Sequence, residues 1–358
     1  MPAHPTSTAL RDTAPCHATG PRPPCRGWSP MSTPHEPVLT ERVVDLLAVE
    51  DGLIVDATVG AGGHAHAVLA ASGPDTELLG LDRDAEVLGH AAGRLAWAGA
   101  RVHLVHAAYD TLEEVVRTHG RDRPVRSVLY DLGVSSLQLD RAERGFSLRL
   151  DAPLDMRMDP QSGPTAAELL ATSDETALTT LLITGGEDRH ARRIARAILA
   201  ARPLTTTTEL ADVVAAAVPA ARRTGRTHPA TRTFQAIRIA VNAELERFSA
   251  SLPQALGLLE PAAPPRRGGR VAVLAYHSGE DRIAKRLLGG AARGCICPPD
   301  LPVCGCGRSR ALRLLTRGAE RPSDVEVSRN PRARSARLRA AERTAGALPP
   351  DDPIPIDP

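Results

Sequence analysis

Short apolar runs alternate with amphipathic stretches from about residue 50 onward. Runs rich in Val, Leu and Ile predict five strands, at 53–58, 76–81, 101–106, 126–130 and 270–276. The stretches between the first four runs carry apolar side chains at helical spacing. Such alternation predicts an α/β fold with a mostly parallel sheet.

The fourth and fifth predicted strands are separated by far more chain than one crossover needs, from Asp131 to Arg270. Helical patterns occur in this gap at 165–170, 174–182, 191–201 and 208–218. We therefore predict an inserted all-α domain at 138–226, within a main domain made of 35–137 and 227–345. One amphipathic helix over 231–248 is expected to return the chain to the sheet.

Both ends of the chain lack periodic apolar positions. Residues 1–34 are rich in Pro, Ser, Thr and Ala, which predicts a disordered leader with Met31 as an alternative start, and a disordered tail is expected at 346–358. No apolar run is long enough to cross a bilayer, and the N-terminus lacks the apolar segment of a signal peptide. These features favour a cytoplasmic protein.

The formal net charge is only +2, yet Lys285 is the single lysine, so arginine supplies nearly all cations. Arginine suits bidentate contact with phosphate. The densest group predicts RNA binding, with a solvated tail as the alternative. Its members are Arg329, Arg332, Arg334 and Arg337.

A glycine-rich turn follows the first predicted strand. Gly60, Gly62 and Gly63 come directly after it, and Asp82 ends the second strand, where a carboxylate can accept hydrogen bonds from ribose hydroxyls. This arrangement predicts a cofactor of the adenosine type, although glycines alone would also suit a plain tight turn.

The charge of the turn favours a cationic cofactor. A dinucleotide-binding G-x-G-x-x-G motif is not completed, because Ala65 takes the third glycine position, and Asp56 in the strand would repel a pyrophosphate. The ammonium and sulfonium groups of S-adenosylmethionine would instead be attracted. Methyl transfer is thus favoured over the alternative of an NAD-dependent dehydrogenase.

Several longer motifs make the interpretation specific. They are DLGVSS at 131–136, ERGFS at 143–147, PLDMRM at 153–158, HPATRTFQA at 228–236 and NPRARS at 330–335. Together they closely resemble the bacterial small-subunit ribosomal RNA cytosine-N4-methyltransferase family, known as MraW or RsmH. The resemblance spans roughly 35–344.

The resemblance implies a Rossmann-like S-adenosylmethionine-dependent methyltransferase sheet whose helical insertion recognises the substrate. It also implies methylation of a cytosine N4 in the decoding region of 16S rRNA, with the small ribosomal subunit as partner, and leaves a homodimer open. The implied cofactor contacts are Gly62, Gly63, His64, Asp82, Tyr109, Asp131 and Gln138.

The residue that holds the target base is left open by the sequence. The N4 lone pair is delocalised into the ring, so the enzyme must position the amino group and accept its proton. Candidates are Asp131, Tyr276, His277 and Asp281, with Tyr276, Phe146 or an arginine for stacking. Each has a plain structural alternative, and an RNA-binding assembly factor with a degenerate pocket is the rival function.

Four cysteines form a compact group, Cys295, Cys297, Cys304 and Cys306. Thiolates at this density predict a structural zinc site as one alternative. The C-x-C spacing is shorter than structural zinc sites usually have, so reduced thiols in a loop are the other alternative. No catalytic metal is predicted.

Overall fold

The computed structural model describes residues 37–148, 150–187, 189–219, 228–295, 297, 303 and 305–348. The predicted leader, most of the predicted tail and Cys304 lie outside these residues. Within the described part of the chain, no helix combines the length and apolar character that crossing a membrane requires.

A seven-stranded sheet forms the centre of the fold. Its strands are β1 Asp51–Asp56, β2 Asp75–Asp82, β3 Val102–His106, β4 Val125–Asp131, β5 Arg270–Ala275, β6 Leu312–Leu314 and β7 Arg337–Arg343. The spatial order is β3-β2-β1-β4-β5-β7-β6, with β1 to β5 parallel and the last two antiparallel. The order reverses between β1 and β4, and ligands bind outside the carboxyl ends of strands at such a point.

Helices cover both faces of the sheet and fill the insertion. In chain order they are α1 Thr40–Leu47, α2 Gly63–Ala70, α3 Ala85–Leu95, α4 Leu112–His119, α5 Ser136–Asp140, α6 Ala166–Thr172, α7 Glu175–Thr184, α8 Ala191–Ala201, α9 Thr207–Ala217, α10 Thr231–Asn242, α11 Glu244–Leu258, α12 Ser278–Ala292 and α13 Asp324–Arg329. The predicted fold class, an α/β sheet with an inserted group of helices, is confirmed.

The central strands β1, β4 and β5 are largely apolar because both of their faces are buried. Leu53 and Val55 of β1 pack in the cluster that includes α4, α11 and α12. Ile54, between them, packs in the opposite cluster with α1, α2 and α3. Successive side chains of a strand point to opposite faces, so each strand supplies both cores.

The inserted helices have a hydrophobic core of their own. Leu170 of α6, Leu182 of α7, Ile198 of α8 and Leu210 of α9 are fully buried in it. Helix α10 also contributes, through Ile237. This core gives the insertion a stable surface from which its loops reach the cofactor end of the sheet.

The single helix predicted over 231–248 is wrong. The structure has two helices, α10 and α11, separated by Ala243 in a left-handed conformation with φ of 49°. Asn242 lies at the break, where its side chain accepts from the Met158 N–H and donates to the Met156 carbonyl, both at 2.8 Å. These contacts from a distant segment hold the break, which apolar spacing does not reveal.

Two strands near the C-terminus, β6 and β7, are not predicted from the sequence. Strand β7 pairs antiparallel with β5, and β6 pairs with β7. The charged side chains of β7 hide its pattern, because Arg337 and Arg339 lie on one face and bind Asp281. The arginine-rich segment at this point is therefore part of the sheet and not a tail.

Candidate active site

The glycine-rich turn connects β1 to α2 at the carboxyl end of the sheet. Gly62 is the N-cap of α2 and has φ of 77°, which favours glycine. At Gly63 a Cβ would lie 2.5 Å from Pro37 Cγ, so a side chain does not fit without displacing the N-terminal segment. The N-terminal segment therefore packs directly against the backbone of this turn.

Asp82 lies at the end of the neighbouring strand β2. Its carboxylate accepts the N–H groups of Gly60 and Asp84, each at 2.9 Å. Burial raises the pKa of Asp82 to about 6, although these two donors act to lower it. The carboxylate is thus held by the glycine-rich turn, as expected for a group that accepts ribose hydroxyls.

Asp131, at the end of β4, contacts two other predicted site residues. Its Oδ1 accepts the Tyr276 hydroxyl at 2.8 Å, and its Oδ2 lies 3.2 Å from His64 Nδ1. Thr58 Oγ1 accepts the Asp131 N–H at 2.6 Å. The side chain of Asp131 is 28% exposed, so a substrate can reach it.

The protonation of His64 follows from its two contacts. Nε2 lies 2.8 Å from the Val38 carbonyl, which can only accept, so this nitrogen carries a hydrogen. The other nitrogen, Nδ1, faces the Asp131 carboxylate, which would stabilise a proton on it. Burial acts to lower the pKa of His64, but the Asp131 carboxylate outweighs it and the pKa is above its usual value.

A third carboxylate, Asp56, is buried at the end of β1. Burial raises the pKa of Asp56 to about 7, with Asp131 and Asp82 adding to the rise and His64 opposing it. Three carboxylates thus meet where β1, β2 and β4 end. A cationic ligand would be stabilised at this place, and an anionic one repelled.

Tyr109 and Gln138 flank the same end of the sheet. The Tyr109 hydroxyl donates to the Glu244 carbonyl at 3.2 Å, and its ring meets Tyr130 edge to face. The Gln138 side chain accepts the Ser135 N–H at 3.0 Å and donates to Asp84 at 2.9 Å. Both residues are held in place by these contacts, and their contact with a cofactor stays a prediction.

The remaining catalytic candidates are bound to structural partners. His277 caps α12, because its Nδ1 accepts the Gly279 N–H at 3.2 Å. Asp281 accepts from Arg337 at 2.9 Å and from Arg339 at 2.7 Å. Burial acts to raise the pKa of Asp281, but these arginines bring it below its usual value, so this carboxylate is a poor proton acceptor. Phe146 is buried in the core of the insertion, and its stacking on a base stays a prediction.

A polar cleft of 280 Å³ lies at the carboxyl end of β5. Tyr276 lines it and donates its hydroxyl to Asp131. The other lining residues are His277, Ser278, Arg321, Arg334, Ser335 and Arg337. The cleft therefore combines cationic side chains with the tyrosine that contacts Asp131.

Comparison with known proteins agrees with this geometry. The model of a family described as the MraW methylase family matches residues 32–344. The chain belongs to this family. It is 53% identical over 320 residues to a protein of Frankia alni named ribosomal RNA small subunit methyltransferase H, covering 87% of this chain and 95% of that one.

A second relative comes from Dehalococcoides mccartyi and carries the same name. It is 48% identical over 311 residues, covering 87% of this chain and 86% of its own. Among solved structures, an rRNA methylase from Streptococcus thermophilus superposes with a TM-score of 0.38 at 13% identity, over 85% of this chain and 93% of that one. The likeness to that structure is too distant to bear on function.

In this member of the MraW methylase family, the predicted RNA-binding arginines do not form a single exposed cluster. Arg332 pairs with Asp140 at 2.7 Å. Arg337 pairs with Asp281, whereas Arg334 is exposed and lines the cleft. Arg329 is exposed at the end of α13. Arg334 therefore has the best position for contact with a nucleic acid.

The sequence analysis misses the contact between Asp84 and Arg144. The Asp84 carboxylate caps α3 and accepts from Arg144 Nη2 at 2.9 Å, with exposures of only 2% and 11% for the two side chains. The same Nη2 also donates to the Met158 carbonyl at 2.8 Å. The only hint in the sequence is that Asp84 closely follows Asp82, because the partner is 60 positions away.

Proposed function

We propose that this chain is an S-adenosylmethionine-dependent methyltransferase that methylates the N4 amino group of a cytosine in the decoding region of 16S rRNA. The observation that carries the proposal is the position of Asp131. Its carboxylate belongs to the group of acids at the cofactor end of the sheet and accepts a hydrogen bond from Tyr276 of the cleft. One carboxylate thus joins a site for a cationic methyl donor to a site for RNA.

The residues at the strand ends fit the proposed cofactor. Gly62 gives the turn its left-handed conformation, Gly63 begins α2, and Asp82 is held to accept the ribose hydroxyls. The carboxylates of Asp56 and Asp131 favour the positive charge of the methionine portion. His64, Tyr109 and Gln138 complete the proposed contacts. When bound, S-adenosylmethionine supplies the electrophilic methyl group.

Asp131 is the proposed acceptor for the amino group of the target cytosine. A carboxylate that accepts an N4–H directs the nitrogen lone pair toward the methyl donor and takes up positive charge as the bond forms. The proton that N4 loses passes to this carboxylate or to water. Burial and Asp131 raise the pKa of Tyr276 well above its usual value, so its hydroxyl stays protonated and holds Asp131 in position.

The polar cleft is the proposed path of the RNA. Arg321 and Arg334 are exposed along it and would contact phosphates. The Tyr276 ring would stack on the cytosine, which must be single-stranded or turned out of its stack. We place the substrate-recognition insertion at 138–226 and expect the enzyme to act in the cytoplasm on the small ribosomal subunit. A homodimer remains a prediction.

The deciding experiment uses the purified full chain, S-adenosylmethionine with a labelled methyl group, and small subunits from a strain that lacks this enzyme. Nucleoside mass spectrometry should detect labelled N4-methylcytidine. Label in another nucleoside would contradict the proposed target atom. Absence of both label and cofactor binding would contradict methyl transfer and favour an assembly factor.

A further inference from the structure

The loop between α12 and β6 brings three cysteines together, away from the proposed active site. Its two ends are joined by a hydrogen bond of 3.0 Å from the Ala311 N–H to the Ala291 carbonyl. Cys295 lies just after one end and Cys306 shortly before the other. Closing the loop therefore places thiols from its two ends side by side.

The sulfur positions match the edges of a metal-binding tetrahedron. Cys295 and Cys306 have their Sγ atoms 3.7 Å apart, and the Sγ atoms of Cys295, Cys297 and Cys306 all lie within 4.8 Å of one another. Zinc–thiolate bonds of about 2.3 Å imply tetrahedral edges of about 3.8 Å. A disulfide would instead need about 2.0 Å.

The three thiols come from both C-x-C pairs, because Cys295 and Cys297 form the first pair and Cys306 belongs to the second. The 3.7 Å contact joins Cys295 to Cys306, across the loop and not within one C-x-C pair. Within the first pair, the Cys297 N–H is 3.3 Å from Cys295 Sγ. A backbone donor to sulfur stabilises a thiolate, the form that binds metal.

We propose that Cys295, Cys297 and Cys306 bind a structural zinc ion. Among the described residues between Ala292 and Arg310, no apolar side chain is buried, and Val303 is 77% exposed. These described residues thus contribute no buried apolar contact that would fix their conformation, a condition in which a bound metal can supply the folding energy. The fourth ligand is not assigned by the proposal.

The role of this zinc is structural, because the loop is remote from the cleft. Helix α12 begins next to His277, which lines the cleft, and its 15 residues end before the loop. A helix of that length spans about 20 Å. The metal would instead anchor the junction between α12 and β6, and through β6 the antiparallel edge of the sheet.

The test is metal analysis of the full chain, purified under reducing conditions after growth with zinc and without a metal-binding tag. We expect about one zinc per chain in the wild type and in the control Cys25→Ser, whose cysteine lies outside the group. Cys295→Ser and Cys306→Ser should each lose most of the metal. Less than about a tenth of an equivalent in the wild type, or full zinc in both variants, would overturn the proposal.

A second measurement works without any variant. Replacing zinc by Co²⁺ in the wild-type chain should give the near-ultraviolet absorption of thiolate-to-cobalt charge transfer, and removing the metal with a chelator should lower the melting temperature. Cofactor affinity should change less than about twofold, because the site is remote. A cobalt spectrum without thiolate bands, or no change in melting temperature on chelation, would contradict a structural thiolate site.

Discussion

Asp131 is held from two sides by side chains that are distant in sequence. Tyr276 donates to one carboxylate oxygen, and His64 Nδ1 lies 3.2 Å from the other. With both oxygens held, the carboxylate has a fixed orientation before a substrate arrives. Such preorganisation lowers the cost of aligning the amino group with the methyl donor.

The two proposed roles of Tyr276 can be separated by substitution. Tyr276→Phe keeps the ring but removes the donor to Asp131, so kcat should fall by roughly tenfold to a hundredfold while KM for the RNA changes little. Tyr276→Ala also removes the stacking surface and should raise KM as well. Steady-state kinetics on small subunits measure both. An unchanged kcat for Tyr276→Phe would rule out the positioning role of the hydroxyl.

Cofactor affinity is expected to depend on pH through Asp82. Because its pKa is raised to about 6, the carboxyl group is charged only above that pH. Ribose hydroxyls would donate to the charged form, so cofactor affinity should be level above about pH 6. Below it the affinity should weaken by up to about tenfold per pH unit.

Calorimetry across this pH range measures the effect, and Asp82→Asn is the matched control. The variant should bind weakly at every pH and lose the dependence centred near 6. Since the pKa of Asp56 is raised to about 7, any dependence that persists in Asp82→Asn belongs to other groups such as Asp56. Identical pH profiles for the two proteins would argue against the ribose contact.

At the scale of elements, Arg144 connects the insertion to the cofactor end of the sheet. Its guanidinium joins Asp84, at the start of α3, to the carbonyls of Arg157 and Met158 in the segment before α6. Gln138 binds the same carboxylate from α5. The start of α3, next to the proposed cofactor site, and the insertion therefore share one buried network. Cofactor affinity should change when a contact of this network is removed.

Arg144→Ala leaves the buried Asp84 carboxylate without its cation. Removing one partner of a buried ion pair costs about 3–5 kcal/mol, so the free energy of unfolding should fall by about that amount. Arg192→Ala is the control, because the Arg192–Glu175 pair is 72% and 38% exposed and should contribute little to stability. Urea unfolding compares the two, and equal losses would contradict the role of the network.

At the scale of the whole molecule, RNA binding should depend on the cleft arginines. Arg321→Ala with Arg334→Ala should lower RNA affinity and flatten its salt dependence, by about 0.7 in slope for each lost phosphate contact. Arg117→Ala with Arg266→Ala removes the same charge from the opposite end of the sheet. Binding titrations at several salt concentrations compare them. A slope equal to wild type in the cleft variant would locate the RNA elsewhere.

The sequence by itself determined the parallel strands and the residues at their ends. Apolar runs mark β1 to β5, and in β1, β2, β4 and β5 they reflect burial of both faces. Asp82 and Asp131 could be placed at one edge because the carboxyl ends of parallel strands meet there. The motifs at 131–136 and 330–335 carried the family resemblance without any knowledge of contacts.

Only the tertiary structure decided which charged and polar groups meet. Arg337 looks like a solvated cation in the sequence, yet it binds Asp281 from a strand. The break at Ala243 and the contact between Cys295 and Cys306 likewise depend on distant partners. Periodicity reports whether a position is buried, whereas an ion pair or a shared thiolate site requires the distance between two side chains, which the fold alone sets.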